Sequence, residues 1–298
     1  MQISAHNLAR ADLSKAEMAR QIAVRNKKNK LFKGVIIGAT LLSTVPLLLI
    51  LFYIFKQGIA ALSWDFLMNL PKPVGETGGG VANALVGSIL ILLVAAVVAI
   101  PVGIIIGIYL SEAATSKLAY YCRLAVDVLQ GIPSIVIGII IYEWVVRPMG
   151  GFSAFSGSMA LALMMLPSII KSTEETLKLI PGTMKEAALA LGVPYYKTML
   201  KVILPTGLSG ILTGVILSIS RVIGETAPLL FTAFGSPFMT TDISKPMSSL
   251  PLIIFNYATS PYEDWHRLAW GASMLLILMI LMLNIISKII QRKWKVQF

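Results

Sequence analysis

The sequence predicts an all-α polytopic membrane protein with six transmembrane helices. Three observations predict it. Of 298 residues, 56% are hydrophobic and only 13% charged; apolar stretches long enough to cross a bilayer recur along the chain; and the cations gather on one side of those stretches. The mean hydropathy of +0.81 lies far from that of a soluble domain. A net charge of +11 would suggest a nucleic-acid partner in a soluble protein. Here the cations flank apolar spans, where they set orientation, so no nucleic acid is expected.

A helix needs about 20 mainly apolar residues to cross roughly 30 Å of hydrocarbon. On that rule the spans fall near residues 31 to 56, 81 to 110, 122 to 146, 152 to 171, 207 to 234 and 268 to 290. The fourth is the weakest, because its strongly apolar run from Met159 to Ile170 is short enough for a re-entrant or buried segment. Charge placement settles the count. Six spans with both termini inside put 19 of the 25 cations on the cytoplasmic side and leave Lys56, Lys72, Arg147, Lys245 and Arg267 outside. Arg221 lies within the fifth span. A fourth span that failed to cross would turn Lys171, Lys178, Lys185, Lys197 and Lys201 outward. The predicted organisation is a basic cytoplasmic segment over residues 1 to 30 and a transmembrane domain over 31 to 298.

No short apolar core with a small-residue cleavage site opens the chain, so insertion is expected from the first span. Cys122 is the only cysteine and reads as a packing residue. His6 and His266 have no ligand cluster beside them in sequence, and no metal is expected. The outer segments 57 to 80 and 235 to 267 are rich in Pro, Gly and Ser; Trp64 and Trp265 there, and Trp270 just beyond, read as interfacial anchors. No convincing internal repeat relates the two halves.

Residues 171 to 206 form a cytoplasmic loop longer than an ordinary connector. Pro181-Gly182 breaks the preceding chain, and Thr183 with Glu186 has the spacing of a capping box. Ala187 to Leu191 are strong helix formers, Gly192 suits a left-handed residue after the helix, and Pro194 prevents continuation. A second helix is expected from Tyr195 to Leu204, ending before Pro205. The result is a compact helix-turn-helix. From local physics it either lies on the membrane surface as an amphipathic linker or offers Leu189, Ala190 and Leu191 to a partner groove.

Glu186-Ala187-Ala188, then Gly192, Val202 and Leu204-Pro205, resembles the EAA loop of binding-protein-dependent ABC importer permeases. The family often has Ile at the position of Val202. The resemblance implies a type I ABC importer permease (MetI-like) fold. It also implies that the loop at about 181 to 205 is a coupling helix seated in a separate ATPase, contacting it through Glu186, Ala187, Ala188, Gly192, Leu204 and Pro205. No Gly-x-x-x-x-Gly-Lys-Ser/Thr loop occurs here, so ATP and Mg are expected in the partner and the chain is not itself an enzyme.

From residue 79 to 234 the resemblance narrows to the phosphate importer permeases. It is carried by Gly79-Gly80-Val81-Ala82-Asn83-Ala84, Gly131-Ile132-Pro133-Ser134, Leu166-Pro167-Ser168, Thr173-Glu174-Glu175 and Arg221-Val222-Ile223-Gly224-Glu225-Thr226-Ala227-Pro228. The Gly-Glu-Thr-Ala-Pro run is similar to the PstA-type subunit. The implied partners are a PstC-type permease subunit, a PstB-type ATPase dimer, an external PstS-type phosphate-binding protein, inorganic phosphate and the lipid bilayer. The implied location is a bacterial or archaeal cytoplasmic membrane.

In span five, Gly207, Gly210, Gly214, Ser218, Arg221, Glu225 and Pro228 recur at steps of three or four, along one helical face. Small residues there permit close approach of a second helix. A charge buried at that depth must face protein, water or a partner. Arg221 and Glu225 are expected one turn apart, either as a structural ion pair or with Arg221 presenting its donor fork to phosphate and Glu225 holding it between turnovers. The substrate-pathway residues so expected are Arg221, Glu225, Thr226 and Ser218. Asp127 in span three is expected to pair with Arg123 at the cytoplasmic end. Pro101, Pro133 and Pro167 are either hinges or packing irregularities. Other functions the sequence leaves open are an ABC permease for sulfate or molybdate, an ion-coupled carrier using Asp127, Arg221 and Glu225, and a membrane scaffold or sensor.

Overall fold

The computed structural model describes residues 2–76, 78–113 and 115–293. It forms two units, Met1–Lys56 and Gln57–Phe298. The first is the greater part of a long helix, α1 (Gln2–Ala61), whose segment Val24–Ala61 is apolar enough to cross a membrane. Its Leu42, Leu49 and Phe52 are exposed, as a lipid-facing helix requires.

The second unit is a helical bundle. It contains the end of α1, then α2 (Trp64–Met68), α3 (Ala82–Glu112), α4 (Lys117–Gly131), α5 (Ser134–Ile141), a π-helical turn (Tyr142–Val146), α6 (Arg147–Met149) and α7 (Ala154–Lys178). After these come α8 (Gly182–Ala190), α9 (Tyr195–Thr198), a second π-helical turn (Met199–Ile203), α10 (Leu204–Val222), α11 (Ala227–Leu230), α12 (Leu250–Ala258) and α13 (Glu263–Lys293). Among the described residues, five helices are long and apolar enough to cross a membrane alone, and there is a sixth span if the bent pair Lys117–Gly131 and Ser134–Met149 counts as one.

The centre of the bundle is α7, the span that hydropathy ranks weakest. It runs 25 residues, about 37 Å at helical rise, so it is neither short nor re-entrant in length. Its Ser156, Ser158, Thr173 and Glu174 are buried, which explains both observations. A helix surrounded by protein has no need of uniformly apolar side chains: Ser156 bonds the capping Ser153, Ser158 donates to Ala154 O within the helix, and Glu174 accepts from Arg123 of α4. Glycines bring its neighbours close: a Cβ on Gly103 of α3 would stand 2.6 Å from Ile169, and one on Gly210 of α10 would stand 2.5 Å from Thr176. The small-residue face of span five thus packs against α7 of the same chain, and Ile91, Ala95, Met165, Ile169 and Val215 fill the core between.

Span three departs from a straight helix. Its two halves meet at 106° across Ile132 and Pro133. Pro133 has no N–H to continue the helix, and it drives Ile132 to extended backbone with ψ 130°. The Pro133 hinge is therefore realised, whereas Pro101 and Pro167 lie inside unbroken helices.

Span five also differs. The helical segment runs from Tyr195 to Val222 and does not stop before Pro205. In an α-helix the Pro205 ring would strike the carbonyl of Lys201. The π-helical turn over Met199–Ile203 widens the helix there, with Leu204 N–H reaching Met199 O five residues back. At its far end the helix stops at Val222 instead of continuing to 234, because Gly224 is a poor helix residue and Pro228 opens a new turn.

Candidate functional site

Two regions carry the residues singled out in the sequence, and they lie at different ends of α10. At the start of α10, α8 and α9 form the helix-turn-helix. Gly192 adopts φ +78°, and the N–H groups of Gly192 and Val193 donate to Leu189 O and Ala188 O at 2.9 and 3.2 Å. This pair of bonds is a Schellman ending and requires a residue that tolerates the left-handed region. The capping box does not form. The helix begins at Gly182 after Pro181, with no side-chain cap, because Pro181 fixes the entry and places Thr183 inside the first turn.

The six residues of the EAA signature divide by exposure. Glu186, Ala187, Gly192 and Pro205 are exposed, whereas Ala188 is buried and Leu204 half-buried. Leu204 joins Val202, Met184, Met199 and Ile203 in a small core beneath the loop. The outward surface carries Leu189 and Leu191, the latter 84% exposed. An isolated leucine is unremarkable on a surface; two beside an acid on one projecting helix make an unpartnered apolar ridge.

At the other end of α10, Arg221 occupies the last helical turn and is exposed. It does not pair with Glu225: among the described residues no hydrogen bond or ion pair joins them. The helix has ended at Val222, and Glu225 N–H turns back to Val222 O at 3.1 Å. Without the continuous helix the one-turn spacing no longer brings the two side chains together. Thr226 accepts from Leu229 and Leu230 N–H through its carbonyl at the start of α11. Ser218 is set apart, buried and donating to Met165 O of α7 at 3.2 Å. The break between α10 and α11 lies against the broken span three, for a Cβ on Gly138 would stand 2.8 Å from Pro228 Cα.

The ion pairs of α4 also differ from expectation. Asp127 meets Lys171 of α7 at 2.6 Å, and Arg123 Nε meets Glu174 Oε1 at 2.7 Å, so Arg123 is committed across helices instead of along its own. Lys171 and Glu174 of α7 lie opposite α4 within hydrogen-bond reach of Asp127 and Arg123, so each of these finds its partner across the helix contact instead of along its own helix.

Two features escape the sequence reading. Glu112, the last residue of α3, accepts hydrogen bonds from Lys185 Nζ and Tyr195 Oη across 73 and 83 residues. Burial alone would lower the Lys185 pKa, but the Glu112 hydrogen bond and charge outweigh it and hold the ammonium above its ordinary range. Second, a cavity of about 750 Å³ opens beside the first turn of α3, lined by Lys72, Asn83, Phe234, Phe238, Tyr257 and Trp265. Trp265 stacks on Tyr257 with centroids 4.7 Å apart, so it packs inward as well as serving any interfacial role. The cavity is mainly apolar and contains none of the four predicted pathway residues.

The fold is similar to that of the MetNI methionine ABC transporter in an inward-facing form, with TM-score 0.62 and 18% identity over 72% of this chain and 96% of that one. It is also similar to an amino acid ABC transporter solved with histidines, with TM-score 0.52 and 16% identity over 71% of this chain and 92% of that one. Residues 99–295 match the family described as binding-protein-dependent transport system inner membrane component. The phosphate transport system permease protein PstA of Yersinia pestis is 41% identical over 92% of this chain and 93% of its own length. Its counterpart in Pasteurella multocida is 40% identical, over 89% and 95%. The chain belongs to the binding-protein-dependent transport permeases and, within them, to the PstA family.

Proposed function

We propose that this chain is one permease subunit of an ATP-driven phosphate importer, lining half of the transmembrane route. The observation that carries the reading is the 41% identity to a phosphate permease across nearly the whole chain, with the exposed EAA helix on a bundle of the matching fold. ATP and Mg belong to a PstB-type ATPase dimer, a PstC-type subunit completes the pathway, and a PstS-type protein delivers phosphate from outside. The loop end, with the basic residues 1 to 30, is cytoplasmic, which follows the distribution of cations.

Arg221 serves phosphate by its planar donor fork at the break between α10 and α11. Its exposure in the single subunit fits a position on the route between two permease chains, where lipid does not reach it. Neutralisation of a phosphate dianion needs further donors, which the second subunit supplies. Glu225 and Thr226 flank the break, and Ser218 fixes α10 to α7 beneath it. Closure of the ATPase dimer moves the ridge of Leu189 and Leu191, and the continuous helix from Tyr195 to Val222 carries that movement to Arg221.

The deciding experiment is purification with the three partner subunits and the binding protein, followed by ATP-dependent uptake of labelled phosphate into vesicles. Uptake of sulfate or molybdate in place of phosphate, or uptake driven by an ion gradient without ATP, would overturn the proposal.

A further inference from the structure

We propose that Glu112 is a positioning residue that fastens the coupling helix to the bundle, so that displacement of α8 is delivered to α3 instead of being absorbed in the loop. This rests on the reading of residues 181 to 205 as the ATPase contact.

The placement of Glu112 is unfavourable on local grounds. A carboxylate at the C-terminal end of a 31-residue helix faces the negative pole of the helix dipole, where a cation is the stabilising choice. Its partners offset that cost. Lys185 comes from the second turn of α8, and Tyr195 is the first residue of α9, so the two donors stand on either side of the Gly192-Val193-Pro194 turn. Lys185 Nζ also lies 4.8 Å from the centre of the Tyr195 ring. One carboxylate therefore closes both arms of the hairpin and ties them to the end of α3. Lys185 points inward while Glu186 and Ala187 point out, which leaves the ridge free for a partner.

The end of α3 is itself a junction. Leu110 O accepts from Arg123 Nη2 at 2.7 Å, and Arg123 Nε bonds Glu174, which also receives Lys178 Nζ at 2.6 Å. Leu110 is two residues from Glu112, so α8, α9, α4 and α7 all converge on one turn of α3. From there α4 leads to the 106° bend and α5, whose Gly138 abuts Pro228 beyond Arg221. Polar ties at the loop end thus reach the element that touches the break in span five.

The test compares wild type, E112Q and the swap E112K/K185E in the assembled complex. The swap puts a cation at the end of α3 and an anion in the early part of α8, which suits both helix dipoles. In E112Q we expect assembly and ATP hydrolysis to persist, phosphate moved per ATP to fall about fivefold, and amide hydrogen exchange over residues 182 to 198 to quicken by a similar factor, as the loss of a charge-assisted tie predicts. The swap is expected to bring both readings back to within about twofold of wild type. The proposal is overturned if E112Q leaves that exchange unchanged, if it only reduces the amount of complex while phosphate per ATP in the remainder is normal, or if the swap fails to restore either reading. A wild-type complex that moves no phosphate would count against the importer reading alone, since exchange still judges the tie.

Discussion

Gly138 of α5 lies so close to Pro228 of α11 that a Cβ on the glycine would stand 2.8 Å from the proline Cα and 3.2 Å from its carbonyl oxygen. The obstacle is backbone, which cannot rotate away as a side chain can. G138A should therefore destabilise the folded protein by about 1–3 kcal/mol, the usual cost of overpacking, and displace the break that holds Arg221. Thermal unfolding in detergent, read beside phosphate uptake, checks this; a wild-type midpoint and wild-type uptake would show that the contact relaxes freely.

Arg221 and Glu225 do not pair, so their substitutions should differ in kind. R221A is expected to lower phosphate uptake more than tenfold while the complex still assembles, a loss of the size of one or two charge-assisted bonds. E225Q should have a smaller effect, because no buried cation is stranded by it. Equal losses in both variants would restore the ion pair as the functional unit.

Gly192 has φ +78° and nothing near its missing side chain, so strain is separable from contact. G192A costs about 1–2 kcal/mol of loop stability through backbone alone, whereas L191E alters only the outward ridge. Co-purification with the ATPase should fall in L191E without a change in thermal midpoint. Full retention of the ATPase by L191E would remove the ridge from the interface.

Glu174 is buried and held by both Arg123 and Lys178. R123A removes one of these and also the donor to Leu110 O, and should destabilise by about 1–3 kcal/mol, reduced from a fully buried pair by the partial exposure of Arg123. The double variant R123A/E174Q should recover part of that loss. A chemical unfolding series on the four proteins of the cycle measures it.

Lys185 has its pKa raised by Glu112, so on the alkaline side its ammonium stabilises the loop up to the ordinary lysine value. That contribution disappears as pH rises through the raised value; at the other end, burial alone would raise Glu112, but Lys185 and Tyr195 hold it below the ordinary carboxylate range, so the tie is intact near neutral pH and is lost again in strong acid as Glu112 protonates. Hydrogen exchange of residues 182 to 198, corrected for its intrinsic pH dependence, should quicken in strongly alkaline and in strongly acidic solution and stay slow between; the alkaline step should be smaller in K185M, where Tyr195 alone still titrates against Glu112.

Much of this architecture is legible in the chain. Apart from span five, stretches of apolar residues locate the spans, with ends off by up to about seven residues, and the Gly192 turn follows from its flanking sequence, because length, hydropathy and left-handed backbone are local properties. The bend at Pro133 was legible as one of two alternatives. The end of span five was misplaced, since Ile223 to Phe231 are apolar enough to extend a helix and only Gly224 and Pro228 oppose it. Pro205 misled in the opposite direction: a π-helical turn accommodates it, and no local pattern announces one.

The sequence by itself determined an all-α membrane protein with five or six spans and a projecting helix-turn-helix, for those features are written in hydropathy, charge and turn residues, while its spaced EAA motif carried the resemblance to the permeases. Tertiary structure decided the partners of its charges: Glu112 with Lys185 and Tyr195, Asp127 with Lys171, Arg123 with Glu174, and Arg221 with none of the expected carboxylates. Ion pairs are chosen by which helices pack side by side and how far each helix runs. Neither is fixed by residues a turn apart.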